Sequence, residues 1–344
     1  MTAHAARAAN GAPPPTPALI VEDLAVRFDT DTGGVDVVRN IGFTLHKGET
    51  LCLVGESGCG KSMTALSLLR LTPPGSRVSG RIVLDGAELT TLPEEAMRRV
   101  RGRQCAMIFQ EPMTSLNPVL RLGDQIAEPL IEHYGATRDQ AREQALRALR
   151  EVGMPAAAER LRDYPHQLSG GMRQRAMIAM ALICNPGLLL ADEPTTALDV
   201  TIQGQILALL HERTSARGMG LILITHDLSV VAEAADTVGV MYAGEIVEQA
   251  PVARLFAAPL HPYTVGLMGA VPTRRAAKST RLATIPGVVP APGALPPGCA
   301  FAPRCGRAMS VCTQQPPLRQ PVPGHTVQCW LHADASSSQS AAAS

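Results

Sequence analysis

No stretch of this 344-residue sequence stays apolar long enough to cross a bilayer. Its apolar runs, such as Leu221 to Ile224 and Gly187 to Ala191, fall far below the roughly 20 residues a spanning helix needs. The first residues, MTAHAARAANGAPPPTP, lack the apolar h-region of a secretory leader. Together these absences predict a soluble, unexported chain whose membrane contact goes through a partner. Net charge is missing too, with 31 Lys and Arg against 30 Asp and Glu. A formal +1 leaves no basic footprint to displace the counterions of a nucleic acid, which argues against it as the main partner. Internal repeats are absent, and so is the close cysteine pair, C-x2-C to C-x4-C, typical of protein zinc sites. The eight cysteines of an unexported chain are expected as thiols, because that compartment keeps them reduced.

What is present is globular: 46% of residues are apolar and 18% charged, and the length exceeds one ordinary domain. An α/β core with an appended piece is expected. Residues 19–54 read as short alternating strands ending in Leu51-Cys52-Leu53-Val54, an uninterrupted run suited to a strand buried on both faces. Such runs recur at Cys105 to Phe109, Leu188 to Ala191 and Leu221 to Thr225, which predicts a parallel sheet with crossover helices. Ser79 to Leu84 followed by Asp85-Gly86 predicts a hairpin in a small antiparallel layer. A helical insertion is expected over about 111–168, where Thr137 and Gln140 form a capping-box pair. Ala141, Ala145, Leu149 and Val152 then share one face until Gly153 stops the helix. After Glu248 the sequence turns rich in Pro, Gly and Ala, with a short helix around Pro251 to Phe256. The expected organisation is a disordered segment 1–18, a core 19–249, an extension 250–334 and a disordered tail 335–344.

Gly55-Glu56-Ser57-Gly58-Cys59-Gly60-Lys61-Ser62 follows a buried strand and precedes a helical run starting at Met63. Three glycines let backbone N–H groups turn inward around phosphates, and the helix N-terminus adds its positive end. Lys61 can then reach the β- and γ-phosphates of ATP, and the Ser62 hydroxyl can ligate Mg2+. The strand at Leu188 delivers Asp192 and Glu193 to its carboxyl end. There Asp192 can hold magnesium through water, while Glu193 orients the attacking water and takes its proton. Ser169-Gly170-Gly171 opens a second helix and makes a second candidate anion site, although capping alone also favours Ser-Gly there.

Leu168 to Arg175, LSGGMRQR, resembles the signature motif of the ATP-binding cassette ATPases. Gln110 resembles their Q-loop, Ala197-Leu198-Asp199 their D-loop and Thr225-His226-Asp227 their switch histidine. The resemblance spans about 19–249 and implies a P-loop NTPase cassette with an antiparallel β subdomain and a helical subdomain. It further implies a head-to-tail dimer in which Ser169 and Gly171 of one subunit close on the γ-phosphate held by the other. Gln110 would join Ser62 and Asp192 at Mg2+, His226 would contact the γ-phosphate and Glu193, and Asp199 would lie at the shared site. For adenine stacking only Phe28 offers itself. More narrowly, Gln110 to Pro118, Met241 to Gly244, His261-Pro262-Tyr263-Thr264, Ile285-Pro286-Gly287 and Gly298 to Cys305 resemble the ATPase subunits of dipeptide and oligopeptide importers.

That resemblance implies two transmembrane permease subunits and a second ABC ATPase as partners, with an extracytoplasmic solute-binding protein acting indirectly. It also implies peripheral attachment to the cytoplasmic face of the cell (inner) membrane. A nickel or other small-solute importer is an alternative, and a soluble cassette ATPase of DNA repair or translation is one from a different class. Cys299, Cys305, Cys312 and Cys329, spaced C-x5-C-x6-C-x16-C, are expected to hold an iron–sulfur cluster, [4Fe-4S], with zinc or free thiols as alternatives. No ATP-site motif lies beyond residue 249, so ATP hydrolysis is expected largely to survive loss of the cluster.

Overall fold

The computed structural model describes residues 16–30, 33–110, 115–195, 198–270 and 284–333. Apart from residues 16–18, the expected disordered ends lie outside that set, as do Glu111 to Thr114 after Gln110 and Ala197 of the D-loop stretch. The strands are β1 (Pro17–Thr30), β2 (Gly33–His46), β3 (Thr50–Val54), β4 (Ser76–Leu84), β5 (Ala87–Glu88) and β6 (Cys105–Ile108). They continue with β7 (Leu188–Asp192), β8 (Gly220–Ile224), β9 (Thr237–Tyr242), β10 (Glu245–Pro251), β11 (Leu318–Val322) and β12 (His325–Gln328). Two sheets form, one of four strands ordered β2-β1-β4-β5 and one of eight ordered β11-β12-β10-β9-β3-β8-β7-β6.

The uninterrupted apolar runs have their physical reason in this layering. In β3, Cys52 and Val54 enter one core cluster with the helical insertion, while Leu51 and Leu53 enter a second with β1, β2 and β4. The same alternation divides Leu189 from Leu188 and Leu190 in β7, and Leu221 and Leu223 from Ile222 and Ile224 in β8. Each face meets apolar partners, so neither could be polar. β3, β8, β7 and β6 are mutually parallel neighbours.

Several expectations hold in detail. The turn between β4 and β5 puts Asp85 at φ 45° and Gly86 at φ 84°, the left-handed pair that a two-residue hairpin favours. The helix Arg138–Glu151 carries the Thr137–Gln140 capping box, buries Ala141, Ala145 and Leu149, and is closed by Gly153 at φ 68°.

Others differ. Pro17–Thr30 and Gly33–His46 form two long paired strands of 14 residues each, because irregular register at points such as Leu24 lets them curve over the core without breaking. The extension is also bound into the main sheet, since β12 pairs with β10 (Glu248 opposite Val327) and β11 pairs with β12. Glu248, fully buried, secures that seam by accepting from the Leu260 and His261 N–H groups and facing His325 Nε2 at 2.7 Å. Burial pushes the His261 pKa down to about 4, so its neutral ring accepts from Tyr263 N–H and caps the helix Pro262–Gly269, which no local pattern signalled.

Candidate functional site

The carboxyl ends of β3, β8, β7 and β6 lie side by side, as the opposed pairs Leu53–Ile224, Asp192–Ile224 and Ile108–Ala191 fix. Four separate motifs, the glycine-rich loop, the His226 turn, the carboxylate pair and Gln110, are thereby brought to one edge. Gly55 leaves β3 at φ 154°. A Cβ there would come within 2.2 Å of the Met241 carbonyl oxygen, so only glycine fits. Gly60, at φ 103°, is the N-cap of the helix Lys61–Leu68. Ser57 and Gly58 are exposed, Cys59 is buried, and Ser62 and Met63 are half-buried on the first helical turn.

Lys61 is buried, and its ammonium donates to the Gly55 and Glu56 carbonyls at 2.8 and 3.0 Å, with Cys59 Sγ 3.6 Å away. Asp192, 4% exposed, accepts from the Ser62 hydroxyl. Burial pushes its pKa up, against the pull of Ser62 and Lys61 and with the help of Glu193. Its Oδ1 is buried with no hydrogen-bond partner among the described residues. A buried carboxylate oxygen left without a donor, beside a hydroxyl oxygen, suits a hard cation that takes oxygen ligands, and Mg2+ fits this pair.

Glu193 stands at φ 46°, left-handed for a residue with a Cβ, while its N–H still donates to Ile224 O at 3.0 Å. The chain thus kinks at the last ladder bond, a strain of the order of 1–2 kcal/mol that residues at working sites often carry. The kink sets the carboxylate between two groups: Gln110 Nε2 donates to Oε2 at 3.3 Å, and His226 Nδ1 lies 3.1 Å from Oε1. The three residues expected to work together therefore touch.

Ser169, Gly170 and Gly171 do not join this constellation. Ser169 is exposed and caps the helix Gly170–Leu182 by accepting from Met172 N–H, and Asp199, also exposed, caps Val200–Arg217 by accepting from Ile202 N–H. Phe28 is half-buried against the core under the antiparallel sheet.

Two side chains that the sequence placed in motifs of the extension, but not at the ATP site, do reach the phosphate loop. Tyr263 OH accepts from Glu56 N–H at 2.9 Å, and Arg304 forks onto the Glu56 carboxylate with bonds of 2.6 and 3.0 Å. Leu267 and Ala270 help line a cavity of about 440 Å³ beside Gly55 and His226. Residues beyond 249 thus contact the loop directly, although no ATP-site motif lies there. The charge of Arg304, the first after the apolar, Pro-rich residues 285–303, was the available signal.

Cys299, Cys305, Cys312 and Cys329 converge on one narrow cavity of about 20 Å³. Backbone N–H groups of Arg307 and Met309 donate to the Cys305 and Cys312 sulfurs at 3.4 Å. Burial pushes the thiols of Cys299 and Cys329 up, the latter to about 11. Four sulfurs around one cavity are the right donor set for a thiolate-held metal. The geometry is not: the space holds little more than one water, and among the described residues no three such ligands are arranged to hold a metal ion. Cys52, Cys59, Cys105 and Cys184 are buried, and all eight cysteines are free.

The family described as ABC transporter matches residues 38–196, and the oligopeptide/dipeptide transporter C-terminal region matches residues 247–312. A probable peptide ABC transporter ATP-binding protein of Sinorhizobium fredii is 51% identical over 315 residues, 91% of this chain and 94% of the relative. An oligopeptide transport ATP-binding protein of Salmonella typhimurium is 48% identical over 323 residues, 94% of this chain and 96% of the relative. Among solved structures, a dimeric bacterial ABC transporter cassette superposes with a TM-score of 0.62 at 26% identity, over 68% of this chain and 98% of that one. The same cassette is known as a dimer bound to ADP and phosphate after hydrolysis, with a TM-score of 0.62 at 25% identity over the same shares.

Proposed function

Because the chain belongs to the ABC transporter family, we propose that it is the ATP-hydrolysing subunit that energises uptake of di- and oligopeptides through a membrane permease. One observation carries the reading: a phosphate loop, a buried magnesium-ready carboxylate and a Gln110–Glu193–His226 triplet meet on one sheet edge. They do so in a chain whose later part matches the peptide-transporter region. Residues 19–249 are read as the cassette, with a helical part near 111–168, and 250–334 as the extension.

In this reading the glycine-rich loop and Lys61 hold the phosphates, and Ser62, Asp192 and Gln110 hold Mg2+, which would supply charge neutralisation between the phosphates. Glu193 takes the proton of the attacking water, and His226 orients Glu193. Ser169, Gly170, Gly171 and Asp199 would serve the nucleotide of a second cassette. The exposure of Ser169, Gly170 and Asp199 supports this, and so do the dimeric assemblies of the superposing relative. Two permease subunits and a different second cassette would hold the chain at the cytoplasmic face of the membrane, with a solute-binding protein outside. Among the described residues no helix is long and apolar enough to cross a membrane. A tagged chain purified from solubilised membranes should bring down permease subunits and a second cassette; ribosomes or DNA in their place would overturn the reading.

The extension's cysteines are read as ligands of a [4Fe-4S] cluster, supported by four sulfurs on one cavity and two N–H donors to sulfur. Loading requires the cavity to widen. Anaerobically purified protein should contain iron and sulfide in near-equal amounts, and Cys312→Ser should lose both while Cys184→Ser keeps them. Stoichiometric zinc without iron would replace the cluster with a zinc site.

A further inference from the structure

The contact between Arg304 and Glu56 joins residues 248 positions apart and serves none of the roles above. We propose that Arg304 is an electrostatic positioning residue of the nucleotide site, neutralising and fixing Glu56 so that the phosphate loop can accept a polyanionic nucleotide. The proposal rests on the nucleotide-site reading above and adds to it a residue from the extension.

The argument begins with Glu56 itself. It is the second residue of the loop, its carboxylate partly exposed, and unpaired it would add a negative charge to the loop that is to receive the triphosphate. Arg304 removes that repulsion: its side chain is 4% exposed and meets both Glu56 oxygens, the planar fork that fits a carboxylate best. The guanidinium is held from behind as well. Its Nε donates to Pro286 O at 2.8 Å, Nη1 reaches Tyr242 OH at 3.4 Å, and its carbon lies 5.8 Å from the Tyr242 ring centre. Its position is therefore set by the extension and the sheet, independently of the loop.

Tyr263 completes the grip by taking the Glu56 N–H, so that backbone and side chain of this residue are both pinned from beyond residue 249. Tyr263 is fully buried and packs edge-on against Tyr242 at 4.7 Å, with Phe301 at 5.4 Å. A pinned first turn leaves the following amides of the loop preorganised for phosphate.

An arginine that merely anchored the extension would sit in the same place, so the test must separate charge from packing. Binding of fluorescent ATP and ADP analogues is measured on the full-length chain, for wild type, Arg304→Ala, Arg304→Lys and Arg304→Ala with Glu56→Gln. Arg304→Ala should weaken the ATP analogue about tenfold and the ADP analogue less, because repulsion scales with phosphate charge. Arg304→Lys, which keeps the charge without the fork, should lose roughly threefold. The double variant should recover most of the affinity, since no unpaired carboxylate remains. Should Arg304→Ala fail to fold, the lysine and double variants carry the comparison. Equal losses for both nucleotides, or no recovery in the double variant, would leave Arg304 a packing residue and overturn the proposal. Wild type that binds neither analogue would instead overturn the nucleotide-site reading, and this proposal with it.

Discussion

Glu193→Gln should slow ATP hydrolysis by about a thousandfold while ATP stays bound, the loss expected when a general base is replaced by an amide of the same shape. The geometry makes this substitution a clean probe. Oε1 faces His226 Nδ1 at 3.1 Å and Oε2 accepts from Gln110 Nε2 at 3.3 Å. Gln can keep the first contact through its carbonyl and turns a donor toward Gln110, whose amide can flip to accept it, so at most one hydrogen bond is lost in an exposed setting. That cost is small beside the loss of the proton acceptor. The left-handed backbone at residue 193 is unaffected, because Gln strains there as Glu does. Phosphate release and nucleotide binding on the same preparation separate the two effects. Undiminished turnover would remove Glu193 from the role of base.

That Glu193 could be named from the sequence, while its backbone conformation could not, shows where legibility ends. Patterns carried by a few adjacent residues read through: the loop from Gly55 to Ser62, the capping box at Thr137, the Asp85-Gly86 turn and the two-faced strands β3, β7 and β8. Each is a local requirement of backbone conformation or burial, and each leaves its mark on neighbouring positions. What did not read through depends on distant partners. The φ of 46° at Glu193 arises where its N–H closes the ladder to Ile224. The hairpin of β11 and β12 has an exposed first strand without apolar alternation toward the core, and its place is decided by β10 and the buried Glu248–His325 pair. The fork of Arg304 on Glu56 leaves no periodicity at either end. A boundary drawn from composition near residue 249 falls inside β10, the strand that joins extension to cassette.

The same site predicts a conflict between stability and activity at Asp192. Asp192→Asn should reduce magnesium-dependent hydrolysis by at least a hundredfold, and in the absence of nucleotide it should make the chain more stable by about 1 kcal/mol, or roughly 2–4 °C in Tm. Burial raises the Asp192 pKa, so the folded state disfavours the ionised carboxylate, and Oδ1 has no donor among the described residues. The sign follows from linkage. A carboxyl whose folded pKa lies above its unfolded value favours folding when protonated, and that contribution is lost as pH rises through the folded pKa. At neutral pH the wild type carries the penalty and the amide does not; as pH falls and Asp192 protonates, the two should converge. MgATP should close the gap from the other side, because the wild type gains stability by binding the cation at Asp192 and Ser62 while the variant gains less. Thermal unfolding at pH 7 and pH 5, with and without MgATP, measures all four corners. An Asp192→Asn chain less stable than wild type at pH 7 without nucleotide would show that this carboxylate supports the fold, and that the raised pKa and unpartnered oxygen do not mark a site prepared for magnesium.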